Sequence, residues 1–217
     1  MKRCGNKRQM GVILTAMLSL FVSCASQEAA VPEPGIETLQ PTALSIEVSQ
    51  AELEEFDLTW YTEKELFPLT DLSTLDNKPY DPTVLNDKYV LLNLWASWCP
   101  YCAKEKPSIQ QLYEEYEGSL FTVLTISLGE NQNTVKDYLE SNHYSFPVLL
   151  NTDNSLRDVY APRIPTTYLL DTGGTIIARI NGKKDWGAEK SIKILKHLMP
   201  IGSGLMERGI EGDIYED

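Results

Sequence analysis

Cys99 and Cys102 are the residues of this chain whose type and spacing most plainly allow chemistry. Two thiols three residues apart can close into a disulfide and reopen, so the pair can carry two electrons to or from a second disulfide. The thiols follow an apolar run, Tyr89 to Ala96, and precede a segment with helical periodicity. That layout places Cys99 at a helix N-terminus, where unpaired N–H groups and the helix dipole favour a thiolate. Cys99 is therefore the expected nucleophile. Cys102, one turn further in, is the expected resolving thiol. A zinc site is the competing chemistry, but structural zinc takes four ligands. The sequence holds no second cysteine pair, and its two histidines, His143 and His197, lie far along the chain. No metal is expected, and no dinucleotide-binding glycine fingerprint suggests an organic cofactor.

The elements that must hold this pair follow from periodicity. Tyr89–Ala96 is apolar enough for a central strand. Cys99–Tyr116 reads as a helix with Ile109, Leu112, Tyr113 and Tyr116 on one face and a kink at Pro107. Strands are expected at Leu120–Ser127, Pro147–Asn151, Thr166–Asp171 and Thr175–Ile180, the last two joined by a hairpin turn at Thr172-Gly173-Gly174. Helices are expected at Asn133–Asn142, Asn154–Tyr160 and Gly187–Leu198. Alternation of this kind implies an α/β fold, a mixed sheet with helices on both faces.

The first 23 residues read as a targeting segment. Lys2, Arg3, Lys7 and Arg8 precede an apolar stretch from Gly11 to Val22 that is too short to span a bilayer. Leu20 to Cys24 resembles a bacterial lipobox, with Phe21 in place of the usual leucine, which implies lipidation at Cys24. An ordinary signal peptide or an uncleaved anchor is the alternative. Loss of the leader removes Cys4 and leaves Cys99 and Cys102 as the free thiols, so no disulfide framework is expected. Residues 24–57 read as an acidic tether, although Ser49 and Glu52 resemble a capping box. Residues 58–199 form the expected domain, and 200–217 an acidic flexible tail. The chain carries 31 Asp and Glu against 19 Lys and Arg, a net charge of −12, with the excess concentrated in the flanks. No basic patch stands out, which argues against nucleic acid as a partner.

Several coupled stretches resemble the thioredoxin superfamily, and within it the membrane-tethered TlpA/ResA-like thiol-disulfide oxidoreductases. They are the run from Val90 to Cys99, the Lys104-Glu105-Lys106-Pro107 stretch after the second cysteine, the strand from Ile164 and Pro165 to Asp171, and the strand–helix unit inserted over Leu120–Leu150. The resemblance implies a three-layer thioredoxin-like fold with that insertion before a cis-proline at Pro165. It implies that Pro100 and Tyr101 tune the redox couple, that Trp98 covers the rim, and that the Ile164 backbone pairs with a client segment. Aromatic packing alone would also account for Trp98, and an ordinary turn for Pro165. Cys-Pro-Tyr-Cys is also the glutaredoxin dipeptide pattern, which leaves the potential open. Glu105 has two readings. Spacing alone makes it a solvated charge between Lys104 and Lys106, whereas the resemblance makes it a proton-handling group near the thiols. Asn93 is either part of that apparatus or a hydrogen-bonded residue of a central strand. Trp186 is expected to anchor the last helix.

The function these features imply is extracytoplasmic reduction of client disulfides, with a membrane thiol as electron donor and the bilayer engaged through Cys24. A disulfide oxidase on the same fold and a copper-binding lipoprotein carrier are the competing readings.

Overall fold

The computed structural model describes residues 48–199, apart from residue 117. The leader, Cys24, most of the expected tether and the 200–217 tail lie outside the described residues. The elements are helix α1 (Gln50–Glu55), strands β1 (Leu58–Trp60), β2 (Ser73–Thr74) and β3 (Tyr89–Trp95), and helix α2 (Pro100–Glu115). They continue with β4 (Phe121–Leu128), α3 (Gln132–Asn142), β5 (Val148–Asn151), α4 (Arg157–Tyr160), β6 (Thr166–Leu170), β7 (Ile176–Asn181) and α5 (Glu189–Leu198). A short 3-10 turn at Pro82–Leu85 leads into β3.

The strands form one sheet in the order β1-β7-β6-β3-β4-β5-β2. β3 pairs parallel to β4 and β4 parallel to β5, while β6, β7, β1 and β2 all join antiparallel. β3 is central and its interior positions are buried on both faces. Its two-residue period divides it: Val90, Leu92 and Leu94 join one apolar cluster, and Leu91 and Trp95 the other. Asn93 shares the second face, and that is the face covered by α1, α2, α3 and α5. The opposite face is closed by Phe67, Leu69 and Leu72 and by the α4 region through Leu156 and Tyr160.

α2 runs as one helix through Pro107. Two sequence expectations change. α4 has four residues rather than seven, because side chains hold the chain before it in a turn: Asn151 Oδ1 accepts from the Leu156 N–H and Asp153 Oδ1 from the Ser155 N–H. The second concerns the boundary at residue 58, which falls too late. Ser49 and Glu52 form a complete capping box that opens α1. Leu53 and Phe56 are buried in the main core, with Phe56 edge-on to Trp186 at 6.0 Å between ring centroids. Acidity on the outer face of α1 disguised two inward apolar residues as part of a tether.

Glu52 also binds Lys193 of α5 at 2.7 Å, and this bond, with those from Ser49, lowers its pKa from 4.5 to about 2. Two outcomes follow. Phe56→Ala should lower unfolding free energy by about 3 kcal/mol in urea titrations, where a tether residue would cost nothing. The Glu52 contribution is present above about pH 4.5 and is lost as pH falls towards 2. Amide protection of α1, followed by NMR, should therefore fall over that interval in the wild type and already be reduced at pH 6 in Glu52→Gln.

Candidate active site

Cys99 caps α2. Its φ and ψ are extended, its carbonyl accepts the Ala103 N–H, and Pro100 fills the first helical position, where a missing N–H costs nothing. Cys99 and Cys102 are joined as a disulfide with 5.3 Å between their Cα atoms. The Cys102 N–H donates to Cys99 Sγ at 3.2 Å. On reduction that bond and the helix N-terminus stabilise a thiolate at Cys99, the helix end by about 0.3–1 kcal/mol. Cys99 retains 3% of its surface and Cys102 none, so an incoming sulfur meets Cys99 first. This is less open than a free helix end suggests.

Two large aromatics flank the pair in solvent: Trp98 at 60% and Tyr101 at 64% exposure. The Arg157 guanidinium of α4 lies 5.3 Å from the Trp98 ring centroid. Pro100 is exposed beside them. Across from the sulfur, the Ile164 carbonyl oxygen is 3.7 Å from Cys99 Sγ, and the Ile164–Pro165 bond is cis. Trp98, Pro100 and Tyr101 adjoin the disulfide along the chain, and the fold brings Ile164, 65 positions after Cys99, and Pro165 to the same place.

Glu105 is fully buried, which removes the solvated-charge reading. Its Oε1 accepts from the Lys184 backbone N–H at 3.0 Å and from Trp186 Nε1 at 2.9 Å. Its Oε2 accepts from Asn93 Nδ2 at 3.0 Å. Burial raises the Glu105 pKa, while Lys106 and these three bonds oppose the rise. Asn93 also donates to Thr167 Oγ1 at 2.9 Å. Trp186 therefore does more than anchor α5: its indole holds the buried carboxylate.

Two groups were not singled out by sequence reasoning. Lys106 is as buried as Glu105, and its Nζ donates to Asn93 Oδ1 at 2.7 Å. Glu130, just beyond β4, accepts from the Ser97 N–H at 2.9 Å, from the Ser97 hydroxyl and from Ser127 Oγ at 2.7 Å. It fixes the turn that delivers Cys99. The signal for Lys106 was present, because residues 102, 105, 106, 109, 112 and 113 lie on one helical stripe. No local signal links Glu130 to Ser97, 33 positions earlier.

Residues 64–179 match the family model described as the AhpC/TSA family. The chain is 30% identical over 112 residues to the thiol-disulfide oxidoreductase ResA of Bacillus subtilis, a match covering 51% of this chain and 63% of that protein. It is 33% identical over 90 residues to sporulation thiol-disulfide oxidoreductase A of the same organism, covering 40% and 54%. The chain thus spans less than two thirds of the length of these two relatives. Among solved structures, a thiol:disulfide interchange protein of the thioredoxin family from Chlorobium tepidum superposes with a TM-score of 0.53 at 25% identity, covering 64% of this chain and 99% of that one. The matched segment takes in β3, the Cys99–Cys102 disulfide and the Pro165 strand, and with more than half of its residues inside the family model the chain belongs to the thioredoxin-like AhpC/TSA family.

Proposed function

We propose that this chain is a thiol-disulfide oxidoreductase of the bacterial cell envelope that reduces disulfides of client proteins. The observation that carries this reading is the Cys99–Cys102 disulfide at the start of α2, with the Cys102 N–H directed at Cys99 Sγ. In the reduced protein the Cys99 thiolate attacks a client S–S bond. One client sulfur joins Cys99 and the other leaves as a thiolate. Cys102 gives up its proton, attacks Cys99 Sγ and displaces the second client sulfur. The client leaves with two more electrons, and the Cys99–Cys102 disulfide remains. A membrane thiol donor returns the pair to its reduced form. The exchanging disulfide is itself the redox centre, so the reaction calls on no organic cofactor and no metal.

The rim suits this task. Trp98 and Tyr101 offer exposed aromatic surface, and the Ile164 backbone beside Cys99 suits an extended client segment lying across the disulfide like a short strand. Glu105, one turn beyond Cys102 on α2, is the group within the same buried stripe that can take the resolving proton. Lipidation at Cys24 would hold the domain at the membrane, with the acidic segment after it as a spacer.

Cys102→Ser should accumulate a mixed disulfide between Cys99 and its client, visible on non-reducing gels and identifiable by mass spectrometry. Cys99→Ala should remove reductase activity on an insulin-type substrate by at least about a hundredfold. Full activity of Cys99→Ala would refute the mechanism. Equilibration with glutathione should place the couple nearer the reducing end of the superfamily, about −270 mV, than the oxidising end, about −120 mV. A value at the oxidising end would reverse the direction of flux. Cys24→Ala should move the protein from the membrane fraction to the soluble fraction of host cells, and continued membrane retention would overturn the lipid anchor.

A further inference from the structure

Lys106 occupies a place that an apolar side chain would fill at lower cost. Burying an isolated ammonium is disfavoured by several kcal/mol even after relaxation, and a methionine of similar length would avoid that loss. Lys106 is fully buried, and its charged end is what needs an explanation. Lys106 Nζ lies 4.2 Å from the Trp95 ring centroid and 5.1 Å from that of Phe146, so it faces two aromatic π-surfaces. Its hydrogen bond goes to Asn93 Oδ1, and the amide nitrogen of the same Asn93 donates to Glu105 Oε2. One side-chain amide therefore joins the buried cation to the buried carboxylate. An amide polarised by an ammonium at its oxygen is a stronger donor at its nitrogen.

We propose that Lys106 is a positioning residue for thiol exchange: its buried ammonium, linked through the Asn93 amide, keeps Glu105 ionised and oriented as the proton acceptor for Cys102. This inference rests on the thiol-disulfide reading given above. In the step concerned, the Cys102 Sγ–H proton passes to the Glu105 carboxylate and the Cys102 sulfur bonds to Cys99 Sγ. The Cys99–client S–S bond breaks, and its electron pair leaves with the client sulfur as a thiolate. Lys106 does not touch the reacting sulfurs. Burial lowers the Lys106 pKa from 10.5 to about 7 and raises that of Glu105, and each charge opposes the other's shift, so each makes the charged form of its partner more tolerable in a site closed to water.

Lys106 is the cation that hydrogen bonds tie to Glu105, through Asn93. Lys184, in the segment after β7, presents its backbone N–H to Glu105, and its ammonium donates to the Asn181 carbonyl at 2.8 Å. Burial lowers the Lys184 pKa, and both Asp57, beyond α1, and Glu105 oppose that fall, so the carboxylate feels Lys184 as well but has no hydrogen bond to its ammonium. Cys102 is the titratable neighbour on α2 itself. From the α3 side, Tyr138 packs on Trp95 at 5.1 Å, and Tyr144 stacks on Phe146 at 5.2 Å; both phenols are neutral near physiological pH, and burial raises their pKa further. β6 contributes the uncharged Thr167, and β4 the uncharged Thr125. Glu130 is engaged by Ser97 and Ser127.

The full-length protein, reduced and mixed with an aromatic disulfide reagent, releases coloured thiolate in two phases. The first reports attack by Cys99 and the second resolution by Cys102. The second-phase rate against pH should show an acid limb that Glu105→Gln removes. In Lys106→Met that limb should move to higher pH by about one unit or more, slowing resolution about tenfold below it, because the carboxylate has lost its counter-charge. An unmoved limb in a folded Lys106→Met protein overturns the inference while leaving the thiol-disulfide reading intact. Absence of any second phase in the wild type would instead refute that reading, and the inference with it. Carbon-13 NMR of the reduced wild type gives a test independent of variant folding. With its signal assigned through Glu105→Gln, the Glu105 carboxyl carbon should resonate in the ionised position at neutral pH, and a protonated position there overturns the proposal.

Discussion

The Glu105 carboxylate accepts three hydrogen bonds from two parts of the chain that the sequence keeps far apart. Asn93 comes from the centre of β3, while the Lys184 N–H and the Trp186 indole come from the segment between β7 and α5. A buried carboxylate is stable only when its lone pairs are engaged and its charge is answered. Three donors engage its oxygens here, so α2 has one register on the sheet that suits it. A slide or rotation of the helix would strip donors from acceptor oxygens that have no access to water. The apolar residues further along, Ile109 and Leu112, bury area without that directionality. Cohesion of α2 comes from its second half, and placement of its cysteines from its first.

A second carboxylate completes the placement. Glu130 holds Ser97 by backbone and side chain, two residues before Cys99, and ties it to Ser127 at the end of β4. The turn that carries the disulfide is thus pinned before the first cysteine and after the second. An S–S bond that opens and closes changes the separation of two sulfurs by a small amount, and a frame fixed on both sides confines that change to side-chain rotation. Gly182, at φ 71, turns the chain out of β7 and donates its N–H to the Pro165 carbonyl. The strand presenting Ile164 to Cys99 is therefore tied to the segment that carries Lys184 and Trp186.

Most of this frame was legible from periodicity. The apolar run of β3 marked a central strand, and the two-residue period of any strand puts Asn93 and Trp95 on one face. The hairpin at Thr172 to Gly174 and the order of strands and helices also stood in the sequence. What failed was the reading from spacing alone, which takes charge to mean solvent. Lys104, Glu105 and Lys106 look like a polar helix surface, yet only the first is exposed. The i, i+3, i+4 positions after Cys102 lead inward whatever residue occupies them, and the two charged residues there balance each other. The same assumption consigned α1 to a tether, although its capping box was visible. Glu130 was out of reach for another reason: its partners are set by the crossing of β3 and β4, a tertiary fact without local spacing.

The unequal exposure of the two sulfurs fixes the order of events in the proposed reaction. With Cys102 sealed, a client sulfur can join only Cys99, and the helix then holds Cys102 one turn away from the adduct. An attack within such a frame proceeds at an effective concentration that no free thiol in solution approaches. The covalent complex is therefore short-lived by construction, and affinity for the client need not be high. The exposed aromatic rim has only to orient an extended segment for the duration of one exchange. A shallow surface of Trp98, Tyr101 and the Ile164 backbone does that with few side-chain requirements, so discrimination among clients rests mainly on whether their disulfide can reach a sulfur of which so little is exposed.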